Sequence, residues 1–122
     1  LHGSSAASDV YKRQIYFMGY IYLFGAIAFE VLGTMLLPLS QNFTKIIPTV
    51  VLLLSYLLSF FLLALTVQKL PLSIVYASWA GLGVFSVAIL SSVFYKEVIS
   101  FEIIVGLFFI VVGITLINIY KE

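Results

Sequence analysis

Four long apolar stretches, separated only by short polar connectors, leave this chain of 122 residues very few ways to fold. A transmembrane helix needs about 20 apolar residues to cross the hydrocarbon core of a bilayer. The stretches predict helices over residues 18–37, 46–67, 72–94 and 101–120. Only 9% of the residues are charged, whereas soluble domains carry about 25%. The sequence therefore predicts an all-α integral membrane protein with four transmembrane helices and the lipid bilayer as its solvent.

What the composition lacks excludes several classes of function. A net charge of only +1 provides no basic surface for a nucleic acid. The chain has no cysteine, which excludes disulfide frameworks and thiol catalysis. Its one histidine, His2, lies near the start of the chain, so the apolar region offers neither a histidine metal site nor a Ser-His-Asp triad. We therefore expect no enzymatic activity, no cofactor, no metal and no nucleic-acid partner.

The first residues differ in character from the rest of the chain. Residues 1–14 are polar, and the apolar pattern begins abruptly at Ile15. The run from Asp9 to Gln14 resembles the translation of a sequencing adaptor. We therefore predict that residues 1–17 are a non-native or disordered tail, that the native start is Met18, and that residues 18–122 form the four-helix domain. A genuine flexible tail is the alternative.

The connectors carry signals for the ends of the helices. Residues 38–42, which begin with a proline, are expected to end the first helix. Pro71 is expected near the start of the third helix. Ser100, followed by an acid two residues later, is a predicted N-cap of the fourth helix.

Positive charge leaves the orientation in the membrane open. Lysines and arginines in short loops favour the cytoplasmic side. Outside the tail, Lys69 and Lys121 lie on one side of the predicted bundle, and Lys45 and Lys96 lie on the other. Two charges against two allow insertion both ways and an antiparallel pair, or a single topology with weak bias.

Glu30 is the most informative residue, because it lies near the middle of the first apolar stretch. Ionisable groups at membrane depth are energetically expensive and by default mark an ion or substrate pathway. Desolvation disfavours the carboxylate, so such an acid can hold a proton and release it when a cation arrives. Its small neighbours Ala26, Gly33 and Thr34 leave room for a ligand. The alternative is a permanently protonated carboxyl, hydrogen-bonded to a neighbouring helix.

Aromatic residues in the second and third stretches point to the same chemistry. Tyr76, Trp79 and Gly83 share one face of the third predicted helix, and Tyr56 lies mid-span in the second. Aromatic ring faces attract cations without strong hydration. An acid facing such rings predicts a site for a lipophilic or quaternary cation, lined also by Gly83. Interface anchoring and plain packing are the alternatives for Tyr and Trp.

Gly106 and Gly113 lie seven residues apart on the fourth stretch. Small residues at such spacing allow close approach of two membrane helices. We predict that they pack between subunits.

Several segments match, in order, the motifs of one known family. Residues 26–34 read AIAFEVLGT, and residues 70–83 read LPLSIVYASWAGLG. Further matches follow at residues 106–113 and at Ile117–Asn118. With these motifs, the chain from Met18 onward resembles the small multidrug resistance family of proton-coupled cation exporters.

The resemblance implies an antiparallel homodimer, or a heterodimer in paired members, in the bacterial inner (plasma) membrane. Such a pair exchanges protons for cationic small molecules by alternating access. By position, Glu30 resembles the proton and substrate site shared by both subunits. The other positions carried over are the aromatic lining Tyr56, Tyr76 and Trp79, the small positions Gly33 and Thr34, and the dimer contacts Gly106 and Gly113.

The subtype rests on a few positions. Guanidinium exporters of this family usually read Glu-x-x-Trp in the first helix, whereas this chain has Gly33 after Glu30. The roomier site favours the quaternary-ammonium drug branch; a guanidinium or small amine exporter is the alternative. Pro38 and Asn42 stand where members commonly carry lysine and glycine. The lost charge leaves open a second alternative, one half of a heterodimer that is inactive alone.

Overall fold

The computed structural model describes the backbone of residues 2–121 and the side chains of residues 6–121. Within them the chain forms four helices, α1 (His2–Ser40), α2 (Ile46–Thr66), α3 (Leu72–Phe94) and α4 (Phe101–Ile119). Each contains a stretch long and apolar enough to cross a membrane. The predicted all-α architecture of four membrane-spanning helices is confirmed. Helix α3 has the bounds that were predicted for it, whereas α2 and α4 each end one residue before their predicted ends.

The first helix is much longer than its apolar part. With 39 residues, α1 is about 58 Å long, nearly twice the roughly 30 Å of a hydrocarbon core. Residues 2–17 continue the helix where the sequence predicted a non-native or disordered tail; Leu1 lies outside the described residues. Adding turns to an existing helix needs no new nucleation, which accounts for helix in a polar segment. That residues 1–17 are non-native stays a prediction.

A small core holds the first three helices together. Leu23, Ile27 and Val31 of α1 are buried against Leu70 and Val75, at the α2–α3 turn and in α3. α1 packs along α2 and against α3, whereas α4 packs mainly on α3. Leu107 is the buried residue of α4, and most of its large apolar side chains face outward. Such a surface suits lipid or another membrane helix.

A polar network joins α4 to the rest of the bundle. The Tyr20 hydroxyl on α1 donates to Asn118 Oδ1 on α4 at 2.6 Å. Asn118 Nδ2 in turn donates to Ser78 Oγ on α3 at 2.9 Å. Because lipid supplies no competing partners, the network fixes one end of α4 against both helices.

The sequence signals for helix ends are confirmed at two connectors. Pro71 is the extended residue before α3. Ser100 caps α4, accepting a hydrogen bond from the Ile103 N–H at 3.3 Å. Pro38 lies inside the last turn of α1, two residues before its end.

The turn between α1 and α2 has an unusual backbone. Gln41, Asn42 and Phe43 all have positive φ, at 47°, 63° and 65°. The buried Ser40 supports the turn: its hydroxyl donates to the Leu37 carbonyl at 2.7 Å and accepts from the Phe43 N–H at 3.3 Å. Asparagine tolerates the left-handed region better than most residues, which explains how Asn42 stands where a glycine is expected.

The left-handed turn predicts an asymmetric response at position 42. Asn42→Gly is expected to preserve stability, whereas Asn42→Val places a β-branched residue at a φ of 63° and should cost about 1–2 kcal/mol. Thermal unfolding in detergent, followed by circular dichroism, measures both. A valine variant as stable as the parent would show that this turn is not left-handed at Asn42.

Candidate functional site

Glu30 is the centre of the candidate site, and its two carboxyl oxygens differ. Oε1 accepts a hydrogen bond of 3.0 Å from Thr34 Oγ1, one turn further along α1. Oε2 is buried and has no hydrogen-bond partner among the described residues. An unpaired oxygen on a carboxyl in an apolar environment is costly. It therefore marks a place where a proton or a ligand is needed.

A second helix supports the Thr34 contact. Thr34 Oγ1 lies 2.8 Å from the hydroxyl of Tyr56 on α2. Because Thr34 donates its one hydrogen to Glu30, Tyr56 donates to Thr34. Gly33 makes room for this arrangement, since a Cβ there would lie 3.0 Å from the Tyr56 ring. The result is a chain of hydrogen bonds from Tyr56 through Thr34 to Glu30 Oε1.

The third helix approaches Glu30 closely at Gly83. A Cβ added to this glycine would lie 2.6 Å from Glu30 Oε2. No side chain fits in that gap, so glycine is required for the carboxyl to keep its position. The free oxygen of Glu30 therefore lies directly against the backbone of α3.

Trp79, one turn from Gly83 on α3, is held by a buried serine. Its Nε1 donates to Ser59 Oγ of α2 at 3.1 Å, and Ser59 Oγ donates to the Ala26 carbonyl of α1 at 2.7 Å. Ser59 and Ala26 are both fully buried. One hydroxyl thus joins three helices and fixes the orientation of the indole.

Two further aromatic rings lie beside Trp79. The Phe60 and Tyr76 ring centroids are 5.8 Å and 6.2 Å from that of the indole. Tyr76, however, is 64% exposed and does not line the cavity between α1 and α3. In a single chain it faces outward.

A cavity of about 490 Å³ opens between α1 and α3. Its volume falls within the roughly 300–1,000 Å³ typical of pockets for drug-sized ligands. Two acids at different depths, one hydroxyl from α1 and one aromatic ring lie in a wall that is otherwise small or apolar. The lining residues are Glu30, Thr34, Trp79, Ala80, Gly83, Val84, Val87, Ala88, Ser91 and Glu97.

The predicted site residues fall into three groups. Four of them line the cavity directly: Glu30, Thr34, Trp79 and Gly83. Three lie behind the lining, and these are Ala26, Gly33 and Tyr56. The remaining three, Tyr76, Gly106 and Gly113, lie away from it; a Cβ at either glycine of α4 would meet nothing within 4 Å in the described chain.

Sequence reasoning assigned no role to two residues. Ser59 was recognisable only as a small polar residue in an apolar helix, and its role depends on how α2 is rotated against α1 and α3. Glu97 lies between the third and fourth predicted helices, yet it lines the cavity. Its signal is an acid directly after the end of the helix that carries Trp79. Among the side chains of residues 6–121, no group of three or more histidine, aspartate or glutamate residues converges to hold a metal.

The serine contact yields a stability prediction. Ser59→Ala leaves the indole N–H without its partner, which should cost about 1–3 kcal/mol and change the emission of Trp79, the only tryptophan of the chain. Unfolding in detergent and fluorescence measure the two effects. Ser73→Ala, at an exposed position on α3, is the matched control. Equal behaviour of the two variants would contradict the three-helix contact.

The close approach at Gly83 yields a second prediction. Gly→Ala within a helix normally stabilises by about 1 kcal/mol, but Gly83→Ala should destabilise because the new methyl meets the Glu30 carboxyl. The cost should disappear in the Glu30→Ala background, where the carboxyl is absent. A double-mutant cycle of unfolding free energies measures this coupling. A cost that is unchanged without the carboxyl would contradict the contact.

This chain is similar to known proteins over most of its length. The family model described as Small Multidrug Resistance protein matches residues 18–110. The quaternary ammonium compound-resistance protein QacG of a Staphylococcus species is 44% identical over 105 residues, 86% of this chain and 98% of its own. QacC of Staphylococcus aureus is 42% identical over 103 residues, 84% of this chain and 96% of its own.

A relative from a different genus is nearly as similar. The multidrug transporter EmrE of Escherichia coli is 40% identical over 103 residues, 84% of this chain and 94% of its own. The predicted resemblance is confirmed, and with it a multi-pass membrane protein that transports rather than catalyses. This chain belongs to the small multidrug resistance family.

Proposed function

We propose that this chain is a proton-coupled antiporter that exports lipophilic and quaternary cations. The observation that carries the proposal is the free Oε2 atom of Glu30, which is buried beside a drug-sized cavity. Relatives that are 42–44% identical bear the name of quaternary ammonium compound-resistance proteins. That name supports the choice of substrate.

The chemistry follows from the cost of charge in lipid. An ionised carboxylate away from water is stable only when it is neutralised, either by a proton or by a cation. Thr34 satisfies Oε1, so Oε2 is the atom at which the proton and the cation compete. Binding of one displaces the other. A proton gradient directed inward can then drive a cation outward.

The cavity wall favours cations with a spread charge. Quaternary and phosphonium ions lose little hydration on entering an apolar site, and the Trp79 face attracts them. Guanidinium is a poorer fit, because each of its N–H donors needs an acceptor and half of the lining residues are alanine, valine or glycine. The volume of about 490 Å³ also exceeds what so small an ion fills. Export of guanidinium is therefore the alternative result of the transport experiment.

We further propose that the working unit is a dimer with both carboxyls in one cavity. α4 is almost entirely outward-facing, and Gly106 and Gly113 have open space around them. Lys45 and Lys96 on one side of the bundle balance Lys69 and Lys121 on the other. This balance favours an antiparallel pair. The second chain is a copy of this one or a homologous subunit.

The test is transport of tetraphenylphosphonium into proteoliposomes driven by a pH gradient. Glu30→Gln keeps the size and the Thr34 contact but removes the charge, so transport should fall to the level of protein-free liposomes. Glu30→Asp should retain transport with a shifted pH dependence, since the shorter acid sits differently in the cavity. Glu102→Gln removes an exposed acid at the start of α4 and should transport like the parent.

The outcomes separate the alternatives. Proton-driven transport that persists in Glu30→Gln would end the proposed mechanism. A parent that carries guanidinium and not tetraphenylphosphonium would assign the chain to the small-cation branch. A parent inactive with both, but active together with a homologous chain, would identify one half of a heterodimer.

A further inference from the structure

The cavity that contains Glu30 has a second acid at its outer end. Glu97 lies beyond the last residue of α3 and is exposed, yet it lines the same cavity as Glu30, Trp79 and Ser91. The proposed mechanism uses only Glu30. Glu97, although it lines the cavity, therefore has no role in that mechanism.

The backbone explains why Glu97 returns to the cavity. α3 ends at Phe94, and Lys96 has a φ of 57° that reverses the chain. The Glu97 N–H then donates to the carbonyl of Ser91, in the last turn of α3, at 3.3 Å. Ser91 itself lines the cavity. Because of this reversal, Glu97 lies back over the open end of the cavity, and the chain does not continue directly away from it.

The two acids lie at different depths. Glu30 touches α3 at Gly83, and the helix continues from there to Phe94. Eleven residues of helix rise about 16 Å. Glu30 is therefore at the inner part of the cavity, and Glu97 is at its mouth.

Glu97 makes no salt bridge with the described side chains. No lysine or arginine nitrogen of residues 6–121 lies within 4.0 Å of its carboxylate. A negative charge at the mouth of a narrow site raises the local concentration of cations and their rate of entry.

We propose that Glu97 is the entrance residue of the cavity, which gathers cationic substrates from water and directs them toward Glu30. This inference rests on the proposed function, because it concerns entry of the same cations. Glu97 acts on encounter and not on the bound state, since it follows the end of α3 at Phe94, which lies about 16 Å along the helix from Gly83. It therefore sets the rate of association and favours cations over neutral amphiphiles of similar size.

The test measures association separately from transport. The full chain is placed in nanodiscs of zwitterionic phosphatidylcholine, because anionic lipid would itself attract cations. Trp79 is the only tryptophan and lines the cavity, so its fluorescence reports the entry of tetraphenylphosphonium in a stopped-flow experiment. Rates are measured at about 10 mM and about 300 mM ionic strength, where the Debye lengths are about 30 Å and about 6 Å.

Glu97→Gln should lower the association rate constant about three- to tenfold at low ionic strength and less than twofold at high ionic strength. The dissociation rate should stay that of the parent. Glu97→Asp keeps the charge and should associate like the parent. Glu102→Gln removes one negative charge from the start of α4, outside the cavity lining, and should also leave the rate unchanged.

Three results would overturn the entrance role: an equal loss in Glu102→Gln, a loss that does not depend on salt, or a change confined to dissociation. Failure of the proposed function looks different. If tetraphenylphosphonium leaves the fluorescence of the parent unchanged, or binds Glu30→Gln as well as the parent, the cavity is not the cation site. In that case both proposals fall, whereas a parent that binds isolates the role of Glu97.

Discussion

A carboxyl that is only half satisfied, in an environment that cannot supply water, is the constraint around which this bundle is arranged. Thr34, which itself accepts from Tyr56, donates to one oxygen of Glu30, and Gly83 leaves just enough space for the other. Replacing this acid with an apolar residue would remove a cost and simplify the packing. Its presence, together with the supporting contacts, fits the proposed exchange of a proton and a cation at this carboxyl. The same atom, Oε2, is thus costly for stability and central to the proposed function.

Two polar side chains elsewhere are fully paired and join different helices. Ser59 joins Trp79 to the Ala26 carbonyl, and Asn118 joins Tyr20 to Ser78. The apolar core is small and most large side chains face outward, so lateral packing alone positions the helices weakly. In lipid, where water does not compete, these hydrogen bonds determine how the helices are rotated against each other. The site is therefore held by hydrogen bonds to α2, and its cavity lies between α1 and α3.

Hydropathy was sufficient to predict the four helices and to single out Glu30, since one acid in an apolar stretch stands out without any structure. Periodicity also placed Trp79 and Gly83 on one face. It could not place Tyr76, which shares that face in sequence but is exposed, because the width of a lined face depends on the rotation of α3 against α1. The position of Glu97 depends on the left-handed backbone of Lys96. Because this position is not a glycine, the sequence does not indicate the left-handed conformation. Tertiary rotation and turn geometry are the parts that a single sequence does not encode locally.

The unpaired oxygen also explains why the proposed transport would be an exchange and not a leak. A site that is empty and ionised in lipid is high in free energy, so the carboxyl gives up its proton mainly when a cation replaces it. The same cost prevents a cation from leaving unless a proton arrives. Coupling then requires no separate gate at Glu30, only access from one side of the membrane at a time. The acid at the cavity mouth, exposed to water and free of this cost, can speed the arrival of cations without weakening that coupling.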